Sequence, residues 1–152
     1  MTSTTGPDLT DGYLPPVAAA QHRYRAAGLF DEAPLWSATA RTVAATPTAP
    51  AVTDAATGVT LSYAELWSAA AARAAGLAAA GIGPGDRVVV QLNNSAAFAV
   101  TLLGLLRAGV VPVLTLPAHR ISEIAHLAAG SGAVAYLTED DRRGFDHRAL
   151  AG

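Results

Sequence analysis

The feature that most constrains this chain is a strand–helix series in its second half. Val88–Leu92 is an apolar run interrupted only by Gln91. Asn93 and Asn94 punctuate it, and Asn94 or Ser95 stands where a helix N-cap is wanted. Phe98, Val100, Leu102, Leu103, Leu105 and Leu106 then cover most faces of a helix. Such a helix is predicted to be buried on more than one side. Gly109 closes it, and Val110–Leu114 is a second apolar run. Pro112 inside that run removes a backbone donor, which predicts a strand near the sheet edge. Pro117 ends the next loop. A further helix is predicted over about Arg120–Ala129, with Ile121, Ile124, Ala125 and Ala128 inward and Gly130 and Gly132 as its breakers. Ala133–Leu137 is the third strand. Strand, helix, strand, helix, strand makes two right-handed βαβ units. The expected fold class is α/β: a parallel sheet with helices on both faces.

The first half is built of smaller pieces. Residues 1–12 read as a disordered lead. Pro15 and Pro16 precede a short helix in VAAAQHRYRAAGLF, with Gly28 at its end and His22, Arg23 and Arg25 partly exposed. Residues 34–45 predict another, opened by Pro34, with Leu35, Thr39 and Thr42 or Val43 on one face and Trp36 as anchor. Pro47 and Pro50 stop it. Ala51–Asp54 and Val59–Leu61 flank a turn and predict a hairpin. Ser62-Tyr63-Ala64-Glu65 has the form of a capping box. Tyr63, Leu66, Ala70, Ala74 and Leu77 then form one stripe of a helix running to about Ala80.

Size and charge remove several function classes. At 152 residues the chain fits one domain. Its formal net charge of −2 gives no broad cationic footprint, so nucleic acid and anionic membrane are not expected partners. It has no cysteine, which excludes disulfides and thiolate chemistry. The first ten residues carry neither a positive charge nor an apolar run, unlike a secretory peptide. The apolar stretch Ala96–Val113 is broken by Thr101, Arg107 and two glycines, and reads as buried helix and strand. A cytoplasmic location is the default expectation.

Residues that invite a chemical reading mostly have a structural one. Gly81-Ile82-Gly83-Pro84-Gly85 is glycine-dense, but it follows a helix and precedes a strand. A dinucleotide loop has the reverse order, so a helix-to-strand turn is expected. His22, His119, His126 and His147 form no metal-binding spacing; His119 is expected to precede the helix that carries His126. His119-Arg120 follows a strand end, where α/β folds bind ligands. The alternative is a packed loop histidine beside a solvated arginine. Asp140, Asp141, Arg142 and Arg143 read as a solvated loop. Ser62 lacks the GxSxG surroundings of a nucleophile. Tyr63 and Trp67 read as core and interface groups. No catalytic, cofactor-binding or metal-ligating residue is assigned.

Three segments resemble one family in order and spacing. Thr60-Leu61-Ser62-Tyr63-Ala64-Glu65-Leu66, Gly81-Ile82-Gly83-Pro84-Gly85-Asp86-Arg87-Val88 and Leu105-Leu106-Arg107-Ala108-Gly109-Val110-Val111-Pro112-Val113 are similar to motifs of the adenylate-forming (AMP-binding) enzymes. Arg107 replaces the usual lysine. His22-Arg23-Tyr24-Arg25, Gln91-Leu92-Asn93-Asn94 and Leu116-Pro117-Ala118-His119-Arg120-Ile121-Ser122-Glu123-Ile124 resemble the 2,3-dihydroxybenzoate–AMP and salicylate–AMP ligases of siderophore assembly. Gly144–Leu150 looks like the start of their next helix. The resemblance implies ATP and Mg²⁺ as cofactors of the intact enzyme, an aryl-adenylate product, and an aryl carrier protein as partner. It also implies that residues 13–152 are an N-terminal subdomain fragment, completed by a missing C-terminal portion. The phosphate loop, aryl pocket and catalytic lysine of the family match no position here, so this fragment is expected to be inactive alone and to bind neither cofactor. The alternative is a non-catalytic α/β module that stands alone or complements another chain.

Overall fold

The computed structural model describes residues 17–30, 33–139, 141–142 and 145–146. The lead over residues 1–12, together with Asp140, Arg143 and His147, lies outside these. Helix α1 (Ala18–Ala26) runs over the surface with no buried residue. Gly28 follows it at φ 68°, a left-handed conformation that ends the helix cheaply only for glycine. Helix α2 (Ser37–Ala45) starts later than expected, because Pro34 and Leu35 belong to the preceding turn. Leu35 is accordingly 77% exposed and shares no inward face. Trp36 does anchor the segment, packing against Leu66, Ala70 and Leu103.

Strands β1 (Pro50–Thr53) and β2 (Thr60–Ser62) pair antiparallel as the expected hairpin. Helix α3 (Tyr63–Ala79) begins at the capping box. Ser62 Oγ accepts from the Glu65 amide at 3.3 Å, and Glu65 Oε2 accepts from the Ser62 amide at 2.8 Å. Two otherwise orphaned helix donors are satisfied by this exchange.

The main sheet is parallel, in the order β4-β3-β5. Its strands are β3 (Arg87–Gln91), β4 (Val111–Leu114) and β5 (Ala135–Thr138). All five residues of the central strand β3 are buried. Helix α4 (Ala96–Arg107) joins β3 to β4, and α5 (Ile121–Ser131) joins β4 to β5 across β3. Alternate residues of a strand face opposite sides. Val88 and Val90 pack with Leu77 of α3, Leu105 of α4 and Val110. Helix α5 contacts β3 as well. The two crossovers run in opposite directions along the sheet, which places α4 and α5 on opposite faces. Pro112 sits on the edge strand, as expected. The amides of Val111 and Thr115 donate inward to β3, so the intervening proline nitrogen faces the free edge and no ladder bond is lost.

Two expectations fail in this half. Helix α5 runs through Gly130 to Ser131, and Gly132 alone stops it at φ 64°. Its buried residue is Ile124, while Ile121 is 54% exposed and Ala125 is exposed. A three-stranded sheet is too narrow for an eleven-residue helix to bury a wide stripe. Phe145–Asp146 is also not the start of a helix. It forms β7, antiparallel to β6 (Asp141–Arg142). A two-turn helix is marginal without packing, whereas Phe145 and Asp146 find strand partners in Arg142 and Asp141.

Candidate functional site

The strands β3 and β4 stay paired to Val90 and Leu114, but α4 and α5 leave them toward opposite faces, so the connections beyond their C-terminal ends diverge. Open α/β sheets bind their ligands at such a switch point. Here it holds a cleft of about 790 Å³. Leu92, Asn93, Ser95 and Phe98 line it after β3, and Leu114–Pro117 line it after β4. Asp54 enters from the β1–β2 hairpin and Glu139 from the end of β5.

Several polar groups of the cleft already hold one another, although Asn93 Oδ1 is buried there without a partner. Ser95 caps α4, its Oγ accepting from the Phe98 amide at 3.3 Å. Asp54 Oδ2 accepts from the Ala96 amide at 3.1 Å, while its Oδ1 accepts from Ala56 and Thr57 at 3.0 and 3.1 Å. These amides, Ala96 foremost, hold the Asp54 carboxyl below its ordinary pKa. Glu139 accepts from the Asn93 amide at 3.3 Å and from Asn93 Nδ2. The N-terminus of α4 is the place where such a fold would cradle a phosphate. It is occupied by the chain's own carboxylate, with a second carboxylate at the rim. A phosphate would meet like charge there.

The glycine turn offers no substitute. Gly83 donates to Asp86 Oδ2 at 2.8 Å and Gly85 donates to the Gly109 carbonyl after α4 at 2.9 Å, so both amides are already spent within the protein. The turn also precedes β3, at the far end of the sheet from the cleft. All ten basic residues are arginines, and the sequence contains no lysine. The residues present therefore do not fit an ATP–Mg²⁺ site, and no catalytic step is assigned to them.

The other residues singled out from sequence fall as follows. His22 is exposed on α1. His119 precedes α5, as expected, but it shares with His126 a groove of about 360 Å³, also lined by Ser122, Glu123 and Leu127. Among the described residues no three His, Cys, Asp or Glu side chains gather as metal ligands. Glu123 accepts from the Arg120 amide at 3.0 Å, which leads the causes holding its carboxyl below the ordinary value. This is half of a capping box, since an arginine side chain has no acceptor to complete it. Trp67 belongs to the core edge: Arg107 lies 3.7 Å above its ring and donates to its carbonyl at 2.8 Å. Trp36 stands 6.1 Å away on the same cluster. Among the described residues no helix is long and apolar enough to cross a membrane.

One residue at this site was legible only as an irregularity. Gln91 ends β3 at 3% exposure. Its Nε2 donates to the carbonyls of Leu116 and His119 at 2.9 and 3.0 Å, and its Oε1 accepts from the Tyr136 hydroxyl. A lone amide in a buried valine run is the signal that could have flagged it, because burial without partners is costly.

A hairpin leading into a capped helix, then a small doubly wound sheet with a cleft at the strand ends, defines an α/β architecture of the open-sheet class. Residues 39–151 match the family described as AMP-binding enzyme, and the chain belongs to that family. It is 43% identical over 143 residues to the salicyl-AMP ligase / salicyl-S-ArCP synthetase of Mycobacterium tuberculosis, covering 92% of this chain and 25% of that protein. It is 46% identical over 90 residues to the 2,3-dihydroxybenzoate-AMP ligase of Bacillus subtilis, covering 59% of this chain and 17% of that protein. The apo structure of MbtA from Mycobacterium smegmatis superposes with a TM-score of 0.82 at 46% identity, over 93% of this chain and 25% of that one. The fold is thus that of the N-terminal part of an adenylate-forming domain, related to aryl-acid–AMP ligases. The chain spans about a quarter of the length of the longest-matching relatives.

Proposed function

We propose that residues 13–152 are the N-terminal subdomain of an aryl-acid–AMP ligase. In the intact enzyme an aryl carboxylate attacks the α-phosphorus of ATP, forming an aryl-adenylate and releasing pyrophosphate. The phosphopantetheine thiol of an aryl carrier protein, giving up its proton, then attacks the acyl carbon and releases AMP, leaving the acyl group as a thioester, in a pathway of the siderophore type and in the cytoplasm. The observation that carries this reading is the match to the M. tuberculosis salicyl-AMP ligase along nearly the whole chain. Salicylate, 2,3-dihydroxybenzoate and a substituted 2-hydroxynaphthoate are among the acids named for the relatives.

On this reading the chain supplies scaffold. It positions a sheet, a capped helix and a cleft against a further portion of polypeptide that brings the lysine, metal ligands and aryl pocket. Phosphoryl-centre chemistry needs such groups to support the developing charge. ATP–pyrophosphate exchange tests both halves of the proposal. Purified residues 1–152 are expected to give no salicylate- or dihydroxybenzoate-dependent exchange, and robust exchange would overturn the scaffold assignment. Residues 13–152 joined to the last three-quarters of the M. tuberculosis enzyme are expected to restore acid-dependent exchange. A folded chimera without exchange would overturn the family function.

A further inference from the structure

We infer that Gln91 is a positioning residue, whose buried carboxamide holds the Leu116–His119 turn that forms one wall of the switch-point cleft. The inference concerns the cleft itself and does not depend on which reaction the intact protein performs. Three observations converge on it. Gln91 follows three buried valines at the end of β3 and is itself only 3% exposed. Both of its Nε2 hydrogens are spent on the turn, at 2.9 Å to Leu116 and 3.0 Å to His119, residues 25 and 28 positions away. The turn is itself closed by the His119 amide donating to the Leu116 carbonyl at 3.0 Å.

The chemistry fixes the direction of the carboxamide. Turned over, its oxygen would face two carbonyl oxygens, so Nε2 must point at the turn. Tyr136 of β5 must then donate its hydroxyl hydrogen to Oε1. One side chain therefore ties together the central strand, its neighbour β5 and the loop that follows β4. Leu116 and Pro117 lie on the cleft side of that turn, and His119 lies on the side of the α5 groove. The carboxamide sets where the partition between the two concavities stands. A valine or leucine at this position would remove both side-chain donors, leaving the Leu116 carbonyl to the His119 amide and the His119 carbonyl to Arg120 Nη1, and would take the acceptor from the Tyr136 hydroxyl.

Nuclear magnetic resonance of the wild-type chain gives a direct test. The Gln91 side-chain amide hydrogens are expected to exchange slowly and to show through-bond coupling to the Leu116 and His119 carbonyl carbons. Rapid exchange without coupling would overturn the assignment. In Gln91→Leu, and in the isosteric Gln91→Glu at neutral pH, the His119 amide is expected to lose about tenfold or more protection relative to the Val88–Val90 amides. Equal loss at both places would make Gln91 a general stability residue and sink the proposal. Tyr136→Phe removes only the bond on the far side of the carboxamide. It is expected to leave His119 protection within about twofold, scaled to the same strand; loosening as large as in Gln91→Leu would contradict the assignment.

Discussion

At the scale of single residues, three carboxylates do their work by accepting backbone hydrogen bonds. Asp54, Glu65 and Glu123 are each held below their ordinary pKa, by the amides of Ala96, Ser62 and Arg120 respectively as the leading cause. A carboxyl with a depressed folded-state pKa contributes stability above its unfolded value and loses it as pH falls through the folded one. Unfolding followed from neutral pH into the range of about pH 4 to 2 is expected to show progressive loss of stability. Glu65→Gln is expected to flatten that slope; an unchanged acid profile would show that the α3 cap carries none of it. Ser62→Ala is expected to cost about 1 kcal/mol in chemical denaturation, the usual worth of an N-cap. Arg107 makes a different kind of contact, a planar cation laid on Trp67. Arg107→Lys keeps the charge but loses the flat face and the fork. It is expected to destabilise by about 0.5–1 kcal/mol, measured the same way.

At the scale of elements, α3 and α4 form the pair that joins the two apolar clusters, and Gly104 sets how closely they approach. A Cβ built at Gly104 would lie 2.8 Å from Arg73 Cβ and 3.1 Å from the Ala70 carbonyl. Intrinsic propensity favours alanine over glycine in a helix by about 1 kcal/mol. The clash outweighs it, since neither a Cβ nor a backbone oxygen can swing away. Gly104→Ala is therefore expected to destabilise by about 1–3 kcal/mol; a stabilised variant would show that the helices can part. The elements also show what could be read in advance. The cap, the hairpin, the βαβ series and the edge position of Pro112 each followed from local chemistry: an oxygen at an N-cap, a turn, an apolar period, a missing donor. The inward face of α5 did not, because Ile121 and Ala125 are apolar and correctly spaced, yet the narrow sheet leaves them uncovered. Phe145–Asp146 did not either, since a few residues of helical pattern carry too little energy to decide against a hairpin. At the cleft, the strand-end location was legible from topology. The roles of Asp54, Glu139 and Gln91 were not, because their partners lie 42, 46 and 25–28 residues away in sequence.

At the scale of the whole molecule, the two clusters share their helices. Leu66 and Ala70 of α3 sit in one and Leu77 in the other, while α4 contributes Leu103 to the first and Leu105 to the second. Neither cluster can melt without loosening the other, so far-UV and near-UV signals are expected to report one coincident transition in denaturant. Two separated transitions would contradict this coupling. Edge strand β4 has its own consequence for the fate of the protein at high concentration. An exposed edge is a template for fibril-like stacking. The pyrrolidine ring of Pro112 stands on that rim with no hydrogen to offer a newcomer, and acts as a gatekeeper. Pro112→Val would keep every bond of the native ladder while arming the rim. Light scattering of concentrated samples is expected to rise in that variant, and an unchanged signal would mean that other features shield the border.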